Sequence, residues 1–188
     1  MDYQKQALEL LEKHIQNKNL IKHNLAAGAL MEGLAEYFGK ENEKELWKLA
    51  GLTHDLDWEL TANDPKSHAK VGAEILAKEG FPEEVVRAVR RHNFMAETEP
   101  PETLMEKALY YCEEITGLVV AAVLVLPSKK LSDLTVENVL NRFNEKAFSR
   151  GVNRELIRQA PEKLGIGLEK LTDIAIKSMQ KIHQDLEL

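Results

Sequence analysis

The sequence predicts an all-α fold, on three observations. Apolar residues recur at the three- and four-residue spacing of a helix face nearly throughout; no segment shows convincing strand alternation; and no hairpin signal joins two strand-like runs. Taken in order, the first amphipathic helix covers Asp2 to about Gln16, with Leu8, Leu11 and Ile15 on one face. The second runs from about Leu20 to Phe38 and stops at Gly39. The third covers about Glu43 to Leu56. Asn63-Asp64-Pro65 is a turn, followed by a helix from about Ser67 to Lys78 that Gly80 ends. Pro82 suits the first turn of a helix reaching about His92. Pro100-Pro101 opens a long helix from about Glu102 to Leu126, which Pro127 terminates. Three more helices are expected, at about Val136 to Arg150, Asn153 to Lys163 and Leu168 to Gln184. The β-branched run Val119 to Leu126 is the stretch most easily mistaken for a strand, and its apolar character could contribute to a homodimer contact.

The 188 residues suit one domain with a real core, and a hydrophobic fraction of 44% excludes disorder as the default state. No Ser/Gly-rich linker, repeat or low-complexity segment divides the chain, so a single-domain helical bundle is the simplest expectation. A net charge of −6 argues against general nucleic-acid binding, which needs clustered Lys and Arg, but leaves room for a small phosphorylated substrate. The single Cys112 cannot form an internal disulfide and fits a reducing compartment. The N-terminus lacks a basic segment followed by an apolar one, and Leu118 to Leu126, the longest apolar run, is far too short to span a bilayer. Together these predict a cytoplasmic protein with no membrane partner.

Several polar residues fall on the apolar faces. Side chains three and four apart share a helix face. His23 aligns with Ala27, Leu30 and Leu34; His54 with Trp47 and Ala50; His68 with Val71, Gly72 and Ile75; His92 with Val85, Ala88 and Val89; Glu113 with Leu109, Thr116, Gly117 and Val120. His14 and His183, at the edges of their stripes, read as surface residues. One inward histidine alone reads as a core residue that has found hydrogen-bond partners, but five helices each placing an imidazole or acid inward call for a common cause. A shared metal supplies one, because it replaces lost hydration and fixes the ionised state of the carboxylates. His54 and Asp55 point about 100° apart on a helix, so both reach one ion only near the helix end.

The order His23, then His54-Asp55, then the acid Glu113 resembles the HD superfamily of metal-dependent phosphohydrolases. His68, in Ser67-His68-Ala69-Lys70, and His92, in Arg90-Arg91-His92-Asn93, are similar to the extra ligands of binuclear members. The resemblance is closest to small stand-alone HD proteins and extends, less specifically, to the tail around Phe148 to Glu155. It implies a helical bundle of the HD type, with a metal-binding core at about residues 20–126 and residues 127–188 as a helical extension packed on it. It also implies one divalent ion on His23, His54, Asp55 and Glu113, or two with His68 and His92 added and Asp55 bridging. Such ligands suit Mn, Fe, Co, Ni or Zn better than Ca. The expected reaction is hydrolysis of a nucleotide or other small phosphate ester by a metal-activated water. Where the family usually has Asp as its last ligand, this chain has Glu113, one methylene longer; it could ligate from further away, or Asp57 could supply the carboxylate instead. Asp57 is otherwise the candidate to orient or deprotonate the water, with a solvated cap as its other reading. Arg91 and the row Arg142, Lys146, Arg150 are candidate phosphate partners, or else a solvated basic face. Lys129-Lys130 reads as a solvent loop and Cys112 as core packing. A non-catalytic metal-binding module and a di-iron oxygenase on the same scaffold are the alternative readings.

Overall fold

A computed structural model describes residues 2–93, 98–145 and 147–188. Among these residues the fold is all-helical, with no strand. Asp2 caps helix α1 (Tyr3–His14) by accepting the Lys5 N–H. Asn17 does the same for α2 (Lys18–Tyr37), accepting from Asn19. A 3-10 turn at Glu41–Glu43 leads into α3 (Lys44–Thr53), after which residues 54–69 run mostly in turns. Then follow α4 (Lys70–Lys78), α5 (Glu83–Arg91), α6 (Leu104–Cys112) and α7 (Ile115–Leu124). A 3-10 turn at Leu131–Asp133 precedes α8 (Val136–Phe143), α9 (Arg154–Leu164), α10 (Leu168–Lys181) and the single turn α11 (His183–Leu186).

α2 is the central rod. α3 lies along one side of it and α10 along another, while α5 and α6 pack against α3 and α9 packs against α6. One hydrophobic cluster joins these elements, among them Leu30 and Leu34 of α2, Trp47 of α3, Leu76 of α4, Val89 of α5, Leu109 of α6, Leu118 of α7 and Met179 of α10. Each such fully buried side chain contributes roughly 1.5–3 kcal/mol. The closest contact is between α2 and α3, and it depends on glycine. A Cβ on Gly51 would lie 2.4 Å from the Ala27 carbonyl oxygen, and one on Gly28 would lie 3.3 Å from the Lys48 carbonyl oxygen. Bare backbone at these positions lets the two helices approach closely, which brings His23 of α2 up to His54 at the end of α3.

Several expected elements differ, three of them for a visible reason. The helix expected from Glu102 to Leu126 is two helices, α6 and α7. Thr116 turns the chain between them: its N–H bonds the Glu113 carbonyl at 3.0 Å and its hydroxyl donates to the same oxygen at 2.8 Å, replacing the regular four-residue ladder with a tighter turn. The helix expected from Ser67 begins only at Lys70, because Ala69 sits at φ 74, outside the right-handed helical region. The helix expected to reach Arg150 stops at Phe143, whose carbonyl accepts from the Arg154 guanidinium at 2.9 Å; the same guanidinium gathers the carbonyls of Phe148 and Ser149. Arg142 and Arg150 therefore do not share a helix. Arg142 is spent on both oxygens of Glu145, at 2.9 and 2.8 Å, Arg150 lies in a turn, and Lys146 falls outside the described residues. The apolar run at the end of α7 is divided: Val119, Ala122 and Val123 are buried, while Leu124 and Val125 are exposed. No helix among the described residues is long and apolar enough to cross a membrane.

Candidate metal centre

His23, His68, His92 and Glu113 line one cavity together with Asp55, and His54, buried behind that lining, meets the same carboxylate. His23 comes from the first half of α2. His54 caps the C-terminus of α3, and Asp55 follows it. His92 caps the C-terminus of α5, and Glu113 sits in the tight turn between α6 and α7. His68 arrives from the turn segment ahead of α4 rather than from a helix face, so its alignment with Val71, Gly72 and Ile75 is not what orients it. Local bonds hold these elements in place. Asn24 accepts the Asp55 N–H at 3.3 Å and donates to the Leu20 carbonyl at 2.9 Å. Asn93 clamps the turn segment by donating to the carbonyls of Pro65 and His68, at 2.9 and 3.1 Å. Glu59 receives the N–H groups of Gln16 and Asn17, both at 2.9 Å, tying residues that follow the His-Asp pair to the start of α2.

Each imidazole is anchored through Nδ1. The Gly51 carbonyl lies 2.8 Å from that of His54 and the Val89 carbonyl 2.6 Å from that of His92; a carbonyl only accepts, so both nitrogens carry the proton. Asp57 Oδ1 accepts from His68 Nδ1 at 2.8 Å. Thr116, whose own proton goes to the Glu113 carbonyl, lies 3.4 Å from His23 Nδ1 and accepts there. Every Nε2 therefore faces inward, onto Asp55. Oδ2 of Asp55 is 3.5 Å from both His23 and His54, whereas Oδ1 is 3.2 Å from His68 and 3.6 Å from His92. Glu113 joins the first pair, its Oε2 3.6 Å from His23 Nε2 and 3.8 Å from His54 Nε2. The longer side chain thus reaches the centre.

The electrostatics fit a bound cation. Burial pushes His54 down to about 3 and also lowers His23, though Asp55 opposes it. Both rings are then neutral, with their protons on Nδ1, yet their Nε2 atoms lie only 3.1 Å apart. Two lone pairs at that distance repel unless something positive sits against them. Burial would raise the Asp55 carboxyl, but His54 beside it and hydrogen bonds from His68 and His92 outweigh that and hold it well below its usual range. Burial also works to lower His68, but the Asp55 and Asp57 hydrogen bonds carry it up to about 9. A proton on Nε2 therefore bridges His68 to Asp55, a position a metal could take. Glu113 is pushed well above the carboxylate range by burial and by its neighbours Glu114 and Asp55, a penalty that a nearby cation would relieve. The donor set of imidazoles and carboxylates fits a divalent transition ion.

Asp57 does not face the cavity. Its side chain is fully buried, with Oδ1 on His68 and Oδ2 accepting the Gly72 N–H at 2.8 Å, so the water-orienting role and the alternative ligand role expected of it lack the necessary geometry. Nor does Arg91, which pairs with Glu106 at 2.9 Å and Glu102 at 3.1 Å. The cavity measures about 320 Å³ and is lined by the centre other than His54 together with Leu20, Trp58, Asn93, Glu114, Gly151, Asn153 and Leu156; none of the described lining residues is Lys or Arg. Sequence reasoning gave no site role to Asn24, Thr116, Trp58 or Glu114. Of these, Asn24 carried a signal, as a second polar residue beside His23 on a buried face. A larger hollow of about 1040 Å³, between residues 128–132 and 180–188, contains no comparable cluster. Cys112 is buried beside Glu113, and burial raises its thiol, which suits packing.

Residues 20–126 match the family described as HD domain. The chain is similar to ribonuclease Y of Nitratidesulfovibrio vulgaris (strain DP4), 28% identical over 145 residues that cover 74% of this chain and 27% of that protein. It resembles ribonuclease Y of Fusobacterium nucleatum subsp. nucleatum to the same 28%, over 141 residues covering 74% and 27%. An uncharacterised protein of Methanocaldococcus jannaschii is 36% identical over 95 residues, 49% of this chain and 54% of that one. The chain spans about a quarter of the length of the ribonuclease Y relatives. No solved structure matches it. The family match covers more than half of the chain and contains His23, His54, Asp55, His68, His92 and Glu113, so the protein belongs to the HD domain family, within the superfamily of metal-dependent phosphohydrolases.

Proposed function

We propose that this protein hydrolyses a small phosphate ester at a two-ion centre. The observation that carries the reading is the division of Asp55. One oxygen faces His23 and His54, with Glu113 alongside; the other faces His68 and His92. That arrangement suits a bridging carboxylate with a separate pair of imidazoles for each ion. A divalent transition ion held there supplies an acidified water and a contact that polarises a phosphoryl oxygen. The chain's own groups do the rest. The Nδ1 bonds fix each ring so that its Nε2 lone pair points inward. Asp57 orients His68 and increases its basicity, which makes it a positioning residue. Glu114, in the cavity lining, is placed to meet a substrate hydroxyl. The absence of Lys and Arg from the described lining leaves phosphate charge to the ions, which favours two of them over one.

The relatives named ribonuclease Y suggest RNA as a rival substrate. The net charge of −6 and the small cavity favour the small ester, since tracking a polyanion needs a basic surface. Residues 127–188 serve as an extension of the same domain, since α10 packs along α2. The test is metal analysis of protein purified without a chelating tag, followed by a screen of phosphate esters with Mn, Fe, Co, Ni and Zn. About two equivalents and metal-dependent phosphate release, both lost in Asp55→Asn, are expected. Full activity of Asp55→Asn, or no metal uptake at all, would overturn the reading.

A further inference from the structure

The cavity has an aromatic wall that the metal centre leaves unused. Trp58 is 44% exposed, whereas the other tryptophan, Trp47, is 1% exposed. Isolated exposed apolar residues are ordinary on any surface, but Trp58 is not isolated from the site. It lines both the 320 Å³ cavity and a second hollow of about 130 Å³. It is also held in place. Its backbone N–H donates to the Asp55 carbonyl at 3.0 Å, and its ring meets the His68 ring edge to face, with centroids 4.9 Å apart at 85°. Leu20 and the buried Leu156 add apolar lining to the cavity, and Glu114 and Asn153 provide polar lining.

We infer that Trp58 is a specificity-determining residue: it stacks the base of a nucleoside monophosphate whose phosphate lies at the histidines. This rests on the phosphohydrolase reading and names its substrate class. The spacing supports a single nucleotide. One imidazole ring, that of His68, separates the indole from the central carboxylate, much as a ribose separates base from phosphate. An indole ring carries no base-specific pattern of hydrogen-bonding groups, so purines and pyrimidines should both be accepted.

Two measurements test this. The first needs neither metal nor turnover: tryptophan fluorescence of the metal-free full chain is titrated with adenosine, uridine and ribose 5-phosphate. Saturable quenching by both nucleosides but not by the sugar phosphate is expected, and the quenching should vanish in Trp58→Leu, which leaves only the Trp47 signal. The second is selectivity, the ratio of kcat/KM for adenosine monophosphate to that for ribose 5-phosphate. It should fall about 5- to 100-fold in Trp58→Leu, the range for one base stack, and be largely retained in Trp58→Phe. An unchanged ratio, or equal quenching by ribose 5-phosphate, would overturn the inference. So would quenching by an oligoribonucleotide but not by either nucleoside. Nucleoside quenching without hydrolysis of any ester would sink the hydrolase reading and leave the stacking surface standing.

Discussion

Asp57 shows how two acids two residues apart come to do different work. Asp55 points into the cavity between the imidazole pairs. Asp57, at the next turn of the chain, points away and holds His68 by its outer nitrogen. If Asp57 positions a ligand, Asp57→Asn should weaken one metal equivalent about 10- to 100-fold and spare the other, since outer partners of ligating histidines typically matter by that much. Competition titration with a chromogenic chelator would measure it. A water-activating Asp57 would instead leave both affinities intact and lower kcat alone. At this scale the sequence was informative where identity suffices: His23, His54, His92 and Glu113 follow from helical spacing and motif order, whereas His68, which lies in a turn segment, follows from motif order alone. It misplaced Asp57, expected at the water or the metal, because the direction of that side chain depends on the turns after Thr53, and turns carry no periodicity to read.

At the scale of the elements, ligands gather at helix ends. His54 and His92 are C-caps, Glu113 lies in a break between helices and His68 just precedes one, so each element's boundary matters more than its face. The caps that set some boundaries were written in the sequence, as in Thr103 and Glu106, which bond reciprocally at the start of α6. The break at Glu113 was not, because it depends on which carbonyl Thr116 chooses, nor was the end of α8, which Arg154 imposes from a later element. Two predictions belong here. Gly51→Ala places a methyl against the Ala27 carbonyl and must push α2 and α3 apart; it should cost about 1–3 kcal/mol, several degrees of melting temperature by calorimetry, and weaken metal binding at the His23–His54 pair. The second concerns Glu106, which joins α5 to α6. Burial would raise its carboxyl, but the N–H groups of Glu102 and Thr103 and the side chains of Arg87 and Arg91 hold it down to about 2. A folded-state value below the ordinary 4.5 means stability present above that pH and lost as the pH falls toward 2, on the order of 3 kcal/mol in all. Acid unfolding followed by circular dichroism should therefore be less steep between pH 4.5 and 2 in Glu106→Gln, which starts from a lower stability at neutral pH.

Across the whole molecule, the centre is a cost that the fold carries until it is neutralised. Buried and half-buried acids and imidazoles from α2, α3, α5, the α6–α7 break and the turn before α4 converge on Asp55, and such groups destabilise a core unless they are paired. Asp55 is held charged, Glu113 is driven toward its neutral form, and two imidazole nitrogens face each other at 3.1 Å. A cation that binds the folded chain and not the unfolded one stabilises it by mass action, about 2.7 kcal/mol at a hundred times its dissociation constant. For a chain of 188 residues that corresponds to roughly 5–10 °C. Because the ligands come from elements spread between α2 and α7, the gain should appear as a shift of the whole cooperative transition rather than as an added local step. Scanning calorimetry of chelator-treated protein, with and without added Mn or Zn, checks this. A melting temperature that rises with metal in the wild type but not in Asp55→Asn is the expected result. A transition indifferent to metal in both would mean that the histidines satisfy one another through shared protons and that the centre is a hydrogen-bonded core.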